Sequence, residues 1–196
     1  MGRYRIALND AKTTMTRKKR NTFRKSNKSI YFIVEGCTEE NYIKLLKTLY
    51  RKNATIKNCN GGSAYKVLKE AQKIINKNDD DYKGYVIWFD RDTYNSSKDS
   101  NLFNSLKAKN NVEIYISVPC VENWLLAHFQ KINQNESKCN RCMTILKQKY
   151  ITEYKKNDCN MLTKFITKEE INKAIINYPT LEGIPKVVES NQLMKY

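Results

Sequence analysis

Hydrophobic and polar positions alternate between two periods along the first two thirds of the chain. Residues 30–34 (Ile-Tyr-Phe-Ile-Val) form a short apolar run, β-branched and aromatic, of the kind that makes a strand buried on both faces. The run ends on Glu35, and Gly36 supplies a turn. From Thr38 the apolar residues recur at 42, 45, 46, 49 and 50, which predicts a helix. Residues 54–58 predict a weaker second strand. Gly61-Gly62-Ser63 then breaks the chain before a helix with Val67, Leu68, Ala71, Ile74 and Ile75 on one face. A polar loop at 79–81 precedes residues 85–89 (Tyr-Val-Ile-Trp-Phe), the strongest strand pattern, which stops on Asp90-Arg91-Asp92. A helix around 102–107, an alternating strand at 112–118 and a helix over 121–129 follow.

This alternation of strands and helices predicts an α/β fold with a mostly parallel sheet and right-handed crossovers. Beyond residue 130 the pattern weakens into Lys-rich segments, with helices expected at 141–150, 158–166 and 168–177. Thr167 and Glu170 are spaced as a capping box for the last of these. There is no internal repeat, and 196 residues suit one domain built on one core.

The two strongest strands both end on paired acids. Ligands of open α/β sheets bind outside the carboxyl ends of the strands, where loops converge. Glu35 and Glu39, four residues apart across a turn into a helix, can aim at one point. Asp90 and Asp92 do likewise if the segment stays extended, which would turn Arg91 to the other face or leave it to clamp a phosphate. Four converging carboxylates repel one another unless a hard cation lies between them. Mg²⁺ or Mn²⁺ with oxygen ligands fits, and the chemistry this favours is phosphoryl transfer. Acids at strand ends also serve as helix caps or solvated loop residues. The repetition of the pair after two apolar strands favours a site.

Charge adds a partner class. Lys and Arg number 36 against 20 Asp and Glu, a net +16 with a pI near 9.5, which attracts polyanions. The densest cluster is Arg17, Lys18, Lys19, Arg20, Arg24, Lys25 and Lys28, with no acid between Asp10 and Glu35. Residues 1–28 read as a basic flexible arm, suited either to phosphates or to solubilising the chain. The first 29 residues lack the apolar core of a secretory signal, and no window approaches a membrane span, so a cytoplasmic location is expected. In that setting the six cysteines are expected as free thiols. A zinc site from Cys139 and Cys142, with Cys159 and His128 as further ligands, is the less favoured alternative because the spacing supplies only half a motif.

Three strings resemble the RloB family: Ile33-Val-Glu-Gly-Cys-Thr-Glu-Glu-Asn-Tyr42, Trp88-Phe-Asp-Arg-Asp92 and Ser117-Val-Pro-Cys-Val-Glu-Asn-Trp-Leu-Leu-Ala-His-Phe129. The resemblance covers about residues 30 to 130, and Val121 departs from the aromatic residue expected there. It implies a Toprim-like parallel sheet flanked by helices over 29–130; residues 131–196, beyond the resemblance, read as a helical extension packed on the same core, or else as a separate subdomain. It also implies a nuclease acting in anti-phage defence or abortive infection, on RNA such as tRNA in preference to DNA, with an activating subunit as a possible partner. Under the resemblance Glu35 is a general acid or base, Glu39 the second glutamate of the nuclease branch, and Asp90 and Asp92 the metal pair. Glu122 is a further metal or supporting contact, or else a helix N-terminal acid. His128 is a proton-transfer candidate, or else a structural histidine. A catalytically inactive nucleic-acid-binding or partner protein with a vestigial site is the alternative. Oligomeric state is left open.

Overall fold

The computed structural model describes residues 28–78, 81–132, 138–156 and 162–194. Four strands, β1 (Ile30–Val34), β2 (Ala54–Asn58), β3 (Gly84–Asp90) and β4 (Val112–Ser117), form one parallel sheet in the order β2-β1-β3-β4. The helices between them are α1 (Cys37–Tyr50), α2 (Ala64–Lys77) and α3 (Ser96–Lys107). After β4 come α4 (Val121–Ala127), α5 (Cys139–Lys149), α6 (Lys168–Asn177) and α7 (Gly183–Ser190). The fold is therefore α/β with C-terminal helices, consistent with a Toprim-like sheet.

The central strands read as unbroken apolar runs because both faces of the sheet are covered. Successive side chains point to opposite faces, so Phe32, Val34, Val86 and Trp88 enter one core with α1 and α4 to α7. Ile33, Tyr85, Ile87 and Phe89 enter the other with α2 and α3. Residues from Ile132 to Val188 share the first core with β1 and β3. Gly183 opens α7 against β4, and a Cβ there would collide with the Tyr115 hydroxyl, so glycine permits that approach.

Several elements differ from the sequence expectation. α3 begins at Ser96, six residues earlier than expected, because Asn95 caps its polar first turn by accepting from the Ser97 N–H. α4 ends at Ala127. The helix expected at 158–166 is a 3₁₀ turn at Leu162–Lys164, with 157–161 outside the described residues, as is most of the loop at 79–81. α7 was not anticipated; Gly183 and Pro185 masked its pattern. The Thr167–Glu170 capping box is present on α6.

His128 lies in the first core, and the structure does not support the catalytic reading of it. It is fully buried; Nδ1 bonds the Trp124 carbonyl oxygen at 2.9 Å and Nε2 the Tyr42 hydroxyl at 2.9 Å. Both ring nitrogens are thus occupied by core partners, with Tyr42 and Trp124 edge-on to the ring. Burial holds its pKa down at about 4, so the neutral ring is the native form. Because the folded value lies below the unfolded one, the stability this provides is present above about pH 6.5 and lost as pH falls through 4. Its full size is about 3 kcal/mol. Urea unfolding across that window should show wild type losing this increment, whereas His128→Gln, less stable throughout, should have a flatter profile.

Candidate metal centre

β1 and β3 are neighbours, with Val34 level with Trp88, so the chain leaves both at the same edge of the sheet. The Glu35 N–H donates to the Trp88 carbonyl at 3.1 Å, carrying the ladder one residue past β1. Its carboxylate is then fixed from the other strand: Oε2 accepts from the Asp90 N–H and from the Thr93 hydroxyl, each at 3.0 Å. Asp90 Oδ1 in turn accepts from the Val121 N–H at 2.9 Å, tying β3 to the start of α4. Glu39 sits buried in the first turn of α1. The loop after β2 completes the rim. Asn60, Gly61 and Gly62 all have positive φ there, and the Gly61 N–H donates to the Glu35 carbonyl at 2.8 Å.

The resulting cleft of about 380 Å³ is lined by Glu35, Thr38, Glu39, Gly61, Asp90 and Lys156. Glu122 lies beside it, wholly buried. The Tyr154 hydroxyl donates to its Oε1 at 3.2 Å, and the Lys156 ammonium is 3.5 Å from the same oxygen. The structure thus gathers Glu35, Glu39, Asp90 and Glu122. Asp92 is not buried with them, although its charge lies near enough to raise Glu35. The chain turns into a 3₁₀ segment at Arg91–Thr93 instead of staying extended, so Asp92 is exposed and lines an adjoining groove. Arg91 is exposed too, its guanidinium 5.1 Å from the Tyr94 ring centre. Of the basic arm, Lys28 is exposed, and Arg17, Lys18, Lys19, Arg20, Arg24 and Lys25 lie outside the described residues.

Thr93, Tyr154 and Lys156 are site residues that the sequence reading missed. Thr93 stands next to the acidic pair and was legible by proximity. Tyr154 and Lys156 sit in a Lys-rich stretch with no motif, and only the chain's return path places them.

Burial, reinforced by the charges of Glu39, Glu35 and Glu122, pushes the Asp90 carboxyl far above the usual carboxylate range. Burial chiefly, with Glu35 and Glu122, raises Glu39. Burial also raises Glu35, against the hydrogen bonds from Asp90 and Thr93. At Lys156 partial burial works against the charged form, but Glu122, Asp90 and Glu39 together hold the ammonium above its ordinary value. One ammonium therefore faces four carboxylates. Carboxylate oxygens of this kind suit a hard divalent cation, which would relieve the excess negative charge, while no three of the four acids have ligand atoms all within 4.8 Å of one another.

The cysteines depart from expectation. Cys120, just before α4, and Cys139, opening α5, form a disulfide with Cα atoms 5.7 Å apart, while Cys37, Cys59 and Cys142 are not disulfide-bonded. The zinc grouping is not assembled. Cys139 is paired with Cys120, Cys142 and His128 are buried in the core, and Cys159 lies outside the described residues. Cys120, Glu122 and Cys139 are the set of such residues, among those described, whose ligand atoms all lie within 4.8 Å of one another. Glu35 and Asp90 instead spend carboxylate oxygens on backbone N–H groups.

The raised carboxyls set a sign for stability. Folded Asp90 and Glu39 hold protons more tightly than the unfolded chain, so stability intact in acid falls as pH rises from the ordinary carboxylate range through their raised folded values. Asp90→Asn keeps an Oδ1 acceptor for Val121 and removes the charge. In metal-free buffer at neutral pH it should melt above wild type, with a flatter dependence on pH. Added Mg²⁺ should raise the melting temperature of wild type and leave the variant nearly unmoved.

No helix among the described residues is long and apolar enough to cross a membrane. Comparison with curated proteins returns no match, and comparison with solved structures returns none. The model of the RloB-like proteins matches residues 30–188. That span takes in both acidic strand ends and the C-terminal helices through most of α7. The chain belongs to the RloB-like protein family.

Proposed function

We propose that this protein is a divalent-metal-dependent nuclease that cuts phosphodiester bonds in nucleic acid, RNA in preference to DNA, and acts in defence against phage. The observation that carries the reading is the set of four buried carboxylates, Glu35, Glu39, Asp90 and Glu122, converging where β1 and β3 end, with Lys156 as the ammonium among them. Buried acids that repel one another cost stability, and such costs concentrate where a site needs them. The preference for RNA and the defence setting rest on the family alone.

Glu35, Glu39 and Asp90 would hold Mg²⁺ or Mn²⁺, with Glu122 in support and Asp92 at the outer rim. Bound there, the cation would supply charge neutralisation for the phosphodiester and an activated water. Thr93 and the Asp90 N–H orient the Glu35 carboxylate. Lys156, its ammonium half-exposed at the mouth, can turn from Glu122 to a phosphate oxygen once the carboxylates are neutralised. The basic arm and Arg91 would hold the substrate backbone.

In Mg²⁺ or Mn²⁺ the protein should cleave RNA, and Glu35→Gln or Asp90→Asn should reduce the rate at least about 100-fold. Unchanged cutting by both variants would sink the site. Nucleic-acid binding without cleavage, for wild type in either metal, would favour the inactive binding protein. Because Asp90 and Glu39 must lose protons to bind a cation, Mg²⁺ affinity measured by calorimetry should rise with pH through their raised range, with proton release. An affinity independent of pH would exclude those two as ligands. Deleting residues 1–28 should lower the slope of log affinity against log salt by about 0.7 to 0.9 for each phosphate that the arm neutralises. An unchanged slope would remove the arm from the interface.

A further inference from the structure

Beside the acidic cleft runs a second concavity, a groove of about 980 Å³ lined by Ser63, Tyr65, Asp92, Tyr94, Asn95 and Lys98. Its volume lies within the roughly 300–1,000 Å³ of small-ligand sites and is ample for a nucleotide. It is bounded by the start of α2 on one side and by the 3₁₀ turn and the start of α3 on the other, and α2 packs on α3. Thr93 lines the groove and its hydroxyl donates to Glu35 in the cleft at 3.0 Å, so whatever lies in the groove is next to the cleft.

Lys98 lies in the lining, and two of its aromatic rings carry cations from just outside it. Tyr65 is 44% exposed, one of two large hydrophobic side chains so exposed among the described residues, and the Lys69 ammonium is 5.8 Å from its ring centre. The other, Ile176, lies on α6, away from this groove. Tyr94 is held differently. Its ring stacks on Phe89 at 6.0 Å, meets the edge of Phe103 at 5.7 Å and carries the Arg91 guanidinium. Tyr94 is thus a fixed wall, whereas Tyr65 offers a ring to solvent. The rest of the rim is polar: Asn95, held by its backbone N–H on the buried Asp99 carboxylate at 2.7 Å, with Ser96 and Lys98.

An exposed aromatic ring flanked by ammonium groups beside a polar groove is the pattern that holds an unstacked nucleobase with its phosphates on the basic residues. A base inside a duplex has both faces covered by its neighbours and cannot use such a platform. We infer that this groove binds a single-stranded segment of nucleic acid, with one base stacked on Tyr65 and the flanking phosphates on Lys69, Lys98 and Arg91. The inference deepens the nuclease reading and rests on it for one element, that the strand continues past Thr93 into the cleft.

The test is fluorescence anisotropy of the full chain with labelled single-stranded RNA, single-stranded DNA and duplex, in EDTA so that no cleavage enters. Tyr65→Ala should weaken single-strand binding about 10- to 100-fold, the range for removing one base–aromatic stack. Tyr65→Phe should keep wild-type affinity, and duplex binding should not change. Weakening on both single strands assigns the contact to the base; weakening on one alone identifies which nucleic acid the groove takes. The proposal is overturned if Tyr65→Ala binds single strands like wild type, if it weakens single strands and duplex alike, if Tyr65→Phe is as weak as Tyr65→Ala, or if wild type binds none of the three. The two readings fail separately. Tyr65-dependent single-strand binding by a protein that cuts nothing sustains the groove and removes the nuclease, while Glu35-dependent cutting with binding indifferent to Tyr65 removes the groove.

Discussion

Mutual repulsion among carboxylates removed from water is the constraint on which the rest of this structure turns. Glu35, Glu39, Asp90 and Glu122 are each buried at one edge of the sheet, where every charge raises the cost of the next. The fold tolerates them by giving their oxygens specific donors: two groups from the β3 end hold Glu35, the first N–H of α4 holds Asp90, and Tyr154 with Lys156 holds Glu122. These bonds do more than satisfy acceptors. They lock β1, β3 and α4 to one another, so the acids are part of what fixes the edge they destabilise.

Tolerating that edge requires a rigid platform behind it. β3 is buried along its whole length, with Trp88 anchored by its Nε1–H on the Ser117 hydroxyl at 2.8 Å and Tyr42 edge-on to it, Tyr42 in turn meeting Trp124 and Trp124 meeting His128 edge-on. The residues following the strand therefore leave the sheet in one direction. The same packing explains why the single histidine is unsuited to proton transfer: the site that suits a neutral, doubly bonded imidazole is the opposite of one that lets it titrate near neutrality.

The C-terminal third belongs to this arrangement physically as well as by family. Its side chains fill the core face beneath α1 and α4, and the segment after α5 returns Tyr154 and Lys156 to the acids. The disulfide between Cys120 and Cys139 ties the start of α4 to the start of α5 next to Glu122, so the position of that carboxylate depends on both halves of the chain.

From the sequence alone the four strands, most helices, the capping box on α6 and the placement of acids at two strand ends could be read, because each is encoded by local periodicity or by a residue adjacent to an apolar run. Glu35, Glu39 and Asp90 followed from that. What tertiary structure decided was which of the acids meet. Asp92 leaves the cluster because a 3₁₀ turn breaks the alternation that an extended segment would have kept, whereas Glu122 joins it across the sheet edge. Lys156, the Cys120–Cys139 pair and the Tyr65 groove involve partners far apart along the chain. No spacing rule encodes such a contact, since it depends on how helices cross the sheet and not on the period within any one of them.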